Sequence, residues 1–379
     1  MPLPYFVFWR KKLFDLFEKY VIMEGNLQKI RGKVMRRKYI AGLLALLMCL
    51  SLFCGCGNQQ PEYTTQSTQQ QTQPVETTAE VTTAATTLPE ETTEPEPTWA
   101  DPDFEIQSSH IFVYDSALDK IIFSKGGLQE AVSPASLTKL YSAYVALQYL
   151  DPAAEITVGE EVTMIDPDSS VAHIYQGQKI SVEMCVEGML LQSGNDAAYI
   201  LAVAAGRAIS QNPDLSTTAA IGIFAGKMNE LALEFGMENT HFTNPDGIDS
   251  PGHYTSMQDL LTISLLAMEQ PLIRKYAQMA TDNVTYLSGE TASWKNTNEL
   301  LHPQSQFYCP EAIGLKTGST QNAGKCLISA FQKEDGYLIV GVLGCPESQQ
   351  RYVDTLHLYQ HFTDQPIEEY ILETTPEES

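Results

Sequence analysis

Ser136 and Lys139 stand three residues apart in Ser136-Leu137-Thr138-Lys139. On a helix that spacing brings a hydroxyl and an amine onto one face, where a neutral amine can take the serine proton. Ser193-Gly194-Asn195 and Lys316-Thr317-Gly318 follow in that order, adding a second hydroxyl, an amide and a second amine. The three stretches together hold a nucleophile, a base, and donors for a substrate and its leaving group, the set that serine acyl transfer requires. Each string alone is common, in a surface helix, a turn and a strand end respectively. Their order and wide separation suit segments of different elements converging on one cleft.

The local sequence says how each stretch should be held. Ser133 and Pro134 read as an N-cap and a first helical residue, which puts Ser136 in a first turn whose free N–H groups and dipole favour a developing alkoxide. Lys139 acts as a base only when neutral, so its pKa must fall; burial and a second cation would lower it, and Lys316 is the natural second cation. Ser193-Gly194-Asn195 reads as a tight loop between elements. Lys316-Thr317-Gly318 follows Ala312-Ile313-Gly314-Leu315 as if ending or edging a strand, with Gly318 leaving room for a substrate backbone.

The positioning elements are legible around these stretches. Ile111–Tyr114 and Ile121–Ser124 predict one β-hairpin, and Cys326–Phe331 with Tyr337–Leu343 a second, across the loop 332–336. Between them Ala197–Ile209 predicts a buried helix. Phe224, Met228, Leu231, Ala232 and Phe235 recur at helical spacing before Gly236, a C′ residue. Met257–Met268 and Tyr352–Phe362 complete the helices. Strands at both ends of a helical middle predict an α+β domain with an antiparallel sheet flanked by helices.

The chain resembles the low-molecular-mass penicillin-binding proteins, the serine D-alanyl-D-alanine carboxypeptidases of the β-lactamase/DD-peptidase superfamily. The likeness rests on Pro134-Ala135-Ser136-Leu137-Thr138-Lys139-Leu140, on Met228-Asn229, Gly236-Met237, Thr240, Phe242, Asn244-Pro245 and Gly247, and on Asn296-Thr297-Asn298. It continues through Gly314–Gly318, Ala323-Gly324 and Cys326-Leu327, and covers about 109–362. The resemblance implies a β-lactamase/DD-peptidase-like fold in which Ser136 attacks the carbonyl between two terminal D-alanines and Lys139 takes its proton. Ser193 would relay a proton to the departing D-alanine, while Asn195 binds the substrate amide and helps hold Lys139. Lys316 and Thr317 would hold the terminal carboxylate beside Gly318, and the N–H groups of Ser136 and Ser319 would form the oxyanion hole. The implied substrate is the peptidoglycan stem peptide and the implied covalent inhibitors are β-lactam antibiotics, with no metal and no organic cofactor. In the sequence Ser319 replaces a bulkier residue common after Lys-Thr-Gly. The β-rich C-terminal domain and amphipathic anchor common in the family are expected to be missing. A serine β-lactamase of the same fold, with Glu230 as its deacylating carboxylate, and a silent wall-binding lipoprotein are the alternatives.

Residues 1–56 read as a leader, with Met23 or Met35 as alternative starts. Met35-Arg36-Arg37-Lys38 precedes the apolar run Tyr39–Phe53, in the order of a secretory signal. The run ends Cys54-Gly55-Cys56-Gly57, which resembles a bacterial lipobox and assigns lipidation to Cys56, with Cys54 or an uncleaved anchor as alternatives. The expected location is therefore the outer face of the bacterial cytoplasmic membrane, with a lipid anchor in that membrane. Residues 57–100 are rich in Thr, Gln, Glu and Pro, too poor in apolar groups to offset ordering entropy. At about 3 Å per residue such a tether reaches on the order of 100 Å. The catalytic domain is placed at 101–370 and an acidic tail at 371–379. Over the full 379 residues the net charge is −24 and the pI about 4.6, which argues against nucleic acid as a partner. Cys185, Cys309, Cys326 and Cys345 lack CxxC spacing and read as buried small hydrophobes.

Overall fold

A computed structural model describes residues 99–366. The leader, Cys56, nearly all of the tether and the acidic tail lie outside the described residues. Five strands form one antiparallel sheet in the order β2-β1-β9-β8-β7. They are β1 His110–Asp115, β2 Lys120–Lys125, β7 Ala312–Thr320, β8 Gly324–Lys333 and β9 Gly336–Cys345. Two two-stranded antiparallel sheets, β3 Glu155–Thr157 with β4 Lys179–Ser181 and β5 Thr281–Thr285 with β6 Thr291–Lys295, lie outside that sheet. The helices are α1 Thr138–Ala146, α2 Val182–Leu191, α3 Asn195–Ser210, α4 Thr217–Glu234, α5 Met257–Glu269, α6 Pro271–Ala277 and α7 Gln350–His361. No helix among the described residues is long and apolar enough to cross a membrane.

The sheet is covered on both faces, which explains why its central strands are almost continuously apolar. Along β9, Ile339 and Leu343 join the core shared with the helical middle. Leu338, Val340 and Val342 point the other way and pack with Tyr352, Leu356 and Tyr359 of α7. The period-2 alternation of a strand thus feeds two cores at once. The first and last strands of the domain meet here, as β1 pairs with β9, Phe112 opposite Gly341.

The second hairpin is tighter than the charged run 332–336 suggests. Pairing continues to Lys333 opposite Gly336, leaving Glu334 and Asp335 as a two-residue turn. Helix α4 ends as its sequence indicates: Gly236 has φ +75°, its N–H donates to Leu233 O, and Met237 N–H donates to Ala232 O. Those two bonds are a Schellman closure.

Candidate active site

The nucleophile turn departs from the expected start of its helix. Ala135–Leu137 form a single 3-10 turn capped at Pro134, and α1 begins only at Thr138. Ser133 is not the N-cap; its hydroxyl donates to Asp249 Oδ1 instead. The reason lies at Ala135, which takes φ +48°, a left-handed conformation that no helix interior tolerates. Two glycines hold the turn in that shape. A Cβ on Gly247 would fall 1.8 Å from the Ala135 carbonyl oxygen, and one on Gly318 would sit 3.0 Å from Ala135 Cβ. The space over Gly318, expected to admit a substrate backbone, is therefore taken by the nucleophile turn itself. The first bonded N–H of the turn is that of Leu137, to Pro134 O, so the Ser136 N–H remains as a spare donor.

The hydroxyl and amine meet as their spacing predicts. Lys139 Nζ donates to Ser136 Oγ at 2.9 Å and to the Asp246 carbonyl at 2.6 Å. Lys139 is fully buried while Ser136 is partly exposed, so solvent and substrate can reach the nucleophile but not its base. Burial lowers the Lys139 pKa to about 8, against the opposing pull of the Asp246 and Asp196 carboxylates. At neutral pH roughly one such amine in ten is uncharged, compared with about one in several thousand for an ordinary lysine.

Burial is the main cause of that lowering, and the repulsion between the two amines is felt at Lys316 as well. Lys316 is itself buried and pushed well below its ordinary value, first by burial and then by the positive charges of Lys139 and Arg351. Lys316 Nζ donates to the Thr317 carbonyl at 3.1 Å, and the charges that act on it are cations, whereas Lys139 has carboxylates nearby. An anion arriving beside Lys316 would reverse this by favouring its charged form.

The remaining sequence candidates lie on the walls. Ser193 sits in the junction between α2 and α3 with φ +57°, a strained conformation for serine. Asn195 opens α3, and the following residue, Asp196, is within electrostatic reach of Lys139. The Asn195 side chain donates to Ser169 Oγ at 2.7 Å; Lys139 is held by the Asp246 carbonyl rather than by this amide. Lys316, Thr317, Gly318 and Ser319 all lie within β7, the edge strand of the sheet, in line with the edging alternative read from the sequence. Thr317 Oγ1 is hydrogen-bonded to Thr297 Oγ1, and exposed Ser319 accepts from Lys325 Nζ at 2.9 Å.

Several contributors were not singled out in the sequence. Asp246 acts through its carbonyl, which any residue type supplies, so no side-chain signal marks it. Arg351 reaches back from α7, its Nη1 donating to Gly318 O at 3.2 Å. His253 is buried and accepts the Thr243 N–H at Nδ1, which leaves Nε2 protonated to donate to Thr138 Oγ1 at 3.1 Å. Burial lowers the pKa of that imidazole to about 4, keeping it neutral beside Lys139. Glu230 lies on α4 in an ion pair with Lys227, with no contact to the Ser136–Lys139 pair.

A buried amine bonded to a half-exposed serine, beside a spare backbone donor and an edge strand, is equipped for acyl transfer through Ser136. Known proteins bear the same likeness. The family profile described as D-alanyl-D-alanine carboxypeptidase matches residues 92–347. A D-alanyl-D-alanine carboxypeptidase of Streptomyces sp. strain K15 is 33% identical over 222 residues, which cover 56% of this chain and 72% of that protein. D-alanyl-D-alanine carboxypeptidase DacF of Bacillus subtilis is 28% identical over 61% of this chain and 56% of its own length, so this chain spans little more than half of that relative. The crystal structure of the Streptomyces K15 DD-transpeptidase superposes with a TM-score of 0.62 at 28% identity, covering 69% of this chain and 99% of that one.

Proposed function

The chain belongs to the D-alanyl-D-alanine carboxypeptidase family, and from that premise we propose that it removes the terminal D-alanine from peptidoglycan stem peptides through an acyl-enzyme on Ser136. The observation that carries the reading is the 2.9 Å hydrogen bond between Ser136 Oγ and the buried, readily neutral Lys139 amine. Ser136 Oγ bonds to the carbonyl carbon of the D-Ala-D-Ala peptide bond while its proton passes to Lys139 Nζ. The oxyanion is received by the N–H groups of Ser136 and Ser319; losing one such donor typically costs about 3–4 kcal/mol. Collapse breaks the C–N bond, and the leaving D-alanine takes a proton through Ser193. Water then repeats the addition at the ester and frees the serine.

Substrate fit follows from the same parts. The edge of β7 is open to an extended peptide, which can lie along it as an added strand. The substrate carboxylate meets Lys316 and Thr317, and its charge returns a proton to Lys316. A β-lactam, whose ring amide and carboxylate imitate the D-Ala-D-Ala terminus, acylates the same serine. The paired position of Glu230 on α4 offers no deacylating carboxylate of the kind a β-lactamase needs. We further propose that the domain is exported and held at the outer face of the cytoplasmic membrane by a lipid on Cys56 and a tether over 57–100. That part rests on the signal-like order of basic and apolar residues and on the Cys54-Gly55-Cys56 stretch.

Residues 101–379 incubated with a fluorescent penicillin should acquire a slowly lost label on Ser136. A peptide ending in D-Ala-D-Ala should release one D-alanine. Rapid penicillin turnover without peptide cleavage selects a β-lactamase, and inertness to both selects a silent binder; either result overturns the proposal.

A further inference from the structure

We propose that Asp249 is a positioning residue for the oxyanion hole, fixing the distance between the two chain segments that carry its backbone donors; this rests on the acyl-transfer reading above. Asp249 Oδ1 accepts from Ser133 Oγ at 3.2 Å and from Thr320 Oγ1 at 2.8 Å, and Oδ2 accepts from Asn322 N–H at 2.9 Å. Ser133 lies three residues before Ser136, Thr320 directly follows Ser319, and Asn322 lies in the turn from β7 to β8. One carboxylate therefore grips the flank of each donor.

Such a grip is needed because the two N–H groups have no covalent relation to each other. They belong to the turn before α1 and to β7, yet both must come within about 3 Å of one oxygen. A misplacement of about 1 Å at a reacting centre can cost on the order of a hundredfold in rate. Gly318 packs on Ala135 and near Pro134 O, contacts that bring the segments together but carry none of the directionality of a hydrogen bond. Asp249 adds hydrogen bonds that tie Ser133, ahead of the first donor, to Thr320, just past the second. Its partner on β7 is also fixed, since Thr320 Oγ1 accepts the Ala323 N–H at 3.1 Å while donating to the carboxylate. The same loop delivers the Asp246 carbonyl to Lys139. A single segment, 244–249, thus locates both the base and the oxyanion site.

The test separates transition-state binding from substrate binding. A peptide boronic acid, which forms a tetrahedral anion on Ser136, reports the oxyanion hole. The dissociation constant of an acyl-D-Ala-D-Ala peptide in a Ser136→Ala background reports the ground state. Asp249→Ala should weaken the boronate on the order of 10- to 100-fold, while Asp249/Ser136 double replacement by alanine leaves peptide binding within about twofold of Ser136→Ala alone. Asp249→Asn, which keeps an oxygen for the Ser133 and Thr320 hydroxyls but sets an NH2 against the Asn322 N–H, should recover part of the loss. Should Asp249→Ala fail to fold, Ser133→Ala removes one of the three bonds and should weaken the boronate selectively by a smaller factor. Equal weakening of both ligands, or no weakening of the boronate, overturns the role of Asp249. A wild-type protein that takes no label from penicillin instead overturns the enzymatic reading itself, so the two failures are distinct.

Discussion

Lys139 must be buried enough to be neutral yet close enough to a partner to stay in place. The structure meets both needs with a neutral dipole: the Asp246 carbonyl holds Nζ at 2.6 Å without adding a formal charge at that contact. With a pKa near 8, the neutral amine gains population as pH rises through that value. The rate of acylation by penicillin should therefore climb from pH 6 to 8 and level off above it. Lys139→Ala should lower the acylation rate roughly 10²- to 10⁴-fold, the usual range for a general base, and flatten the limb near 8. Stopped-flow labelling across pH checks both; an unchanged limb in the variant would assign it to another group.

At the scale of elements, the site is a nucleophile turn clamped between the 244–249 loop and β7. Gly247 has φ +88° and presses on the Ala135 backbone, where a methyl group would overlap the carbonyl oxygen; a methyl on Gly318 would meet the Ala135 methyl at 3.0 Å, crowded but short of such overlap. The two positions should respond differently. Gly247→Ala should fail to fold, because a backbone atom cannot yield by over an ångström. Gly318→Ala should fold with a loss of roughly 1–3 kcal/mol, the range for overpacking, and acylate more slowly as the turn is pushed from β7. Thermal unfolding and labelling rates decide this. A Gly247→Ala protein with wild-type melting and labelling would show that the clamp is not what shapes the turn.

At the scale of the whole molecule, the catalytic domain is one part of a longer chain, and the proposed anchor lies outside the described residues. Burial of a diacylglycerol in the bilayer contributes about 0.8 kcal/mol per methylene, ample to hold a domain that carries excess negative charge. In a bacterium expressing the full chain, Cys56→Ser should move the protein from the membrane fraction to the medium or wall fraction. Penicillin labelling per molecule should be unchanged. Retention of the variant in the membrane would point to Cys54 or to the apolar run as the anchor.

The sequence alone determined the reacting groups and the elements around them. Ser136 with Lys139 is readable because a helical turn relates them locally, and the two hairpins, α3, α5 and α7 are readable because their apolar spacing is local as well. The tertiary structure decided what depends on contacts between distant segments. Ala135 takes its left-handed shape only because Gly247 and Gly318 close on it. Ser133 turns from a cap to Asp249, and the Asp246 carbonyl reaches Lys139. The proton affinities of the two buried lysines were likewise beyond a reading of residue types: burial and neighbouring charge set them, and both arise only when the chain has packed.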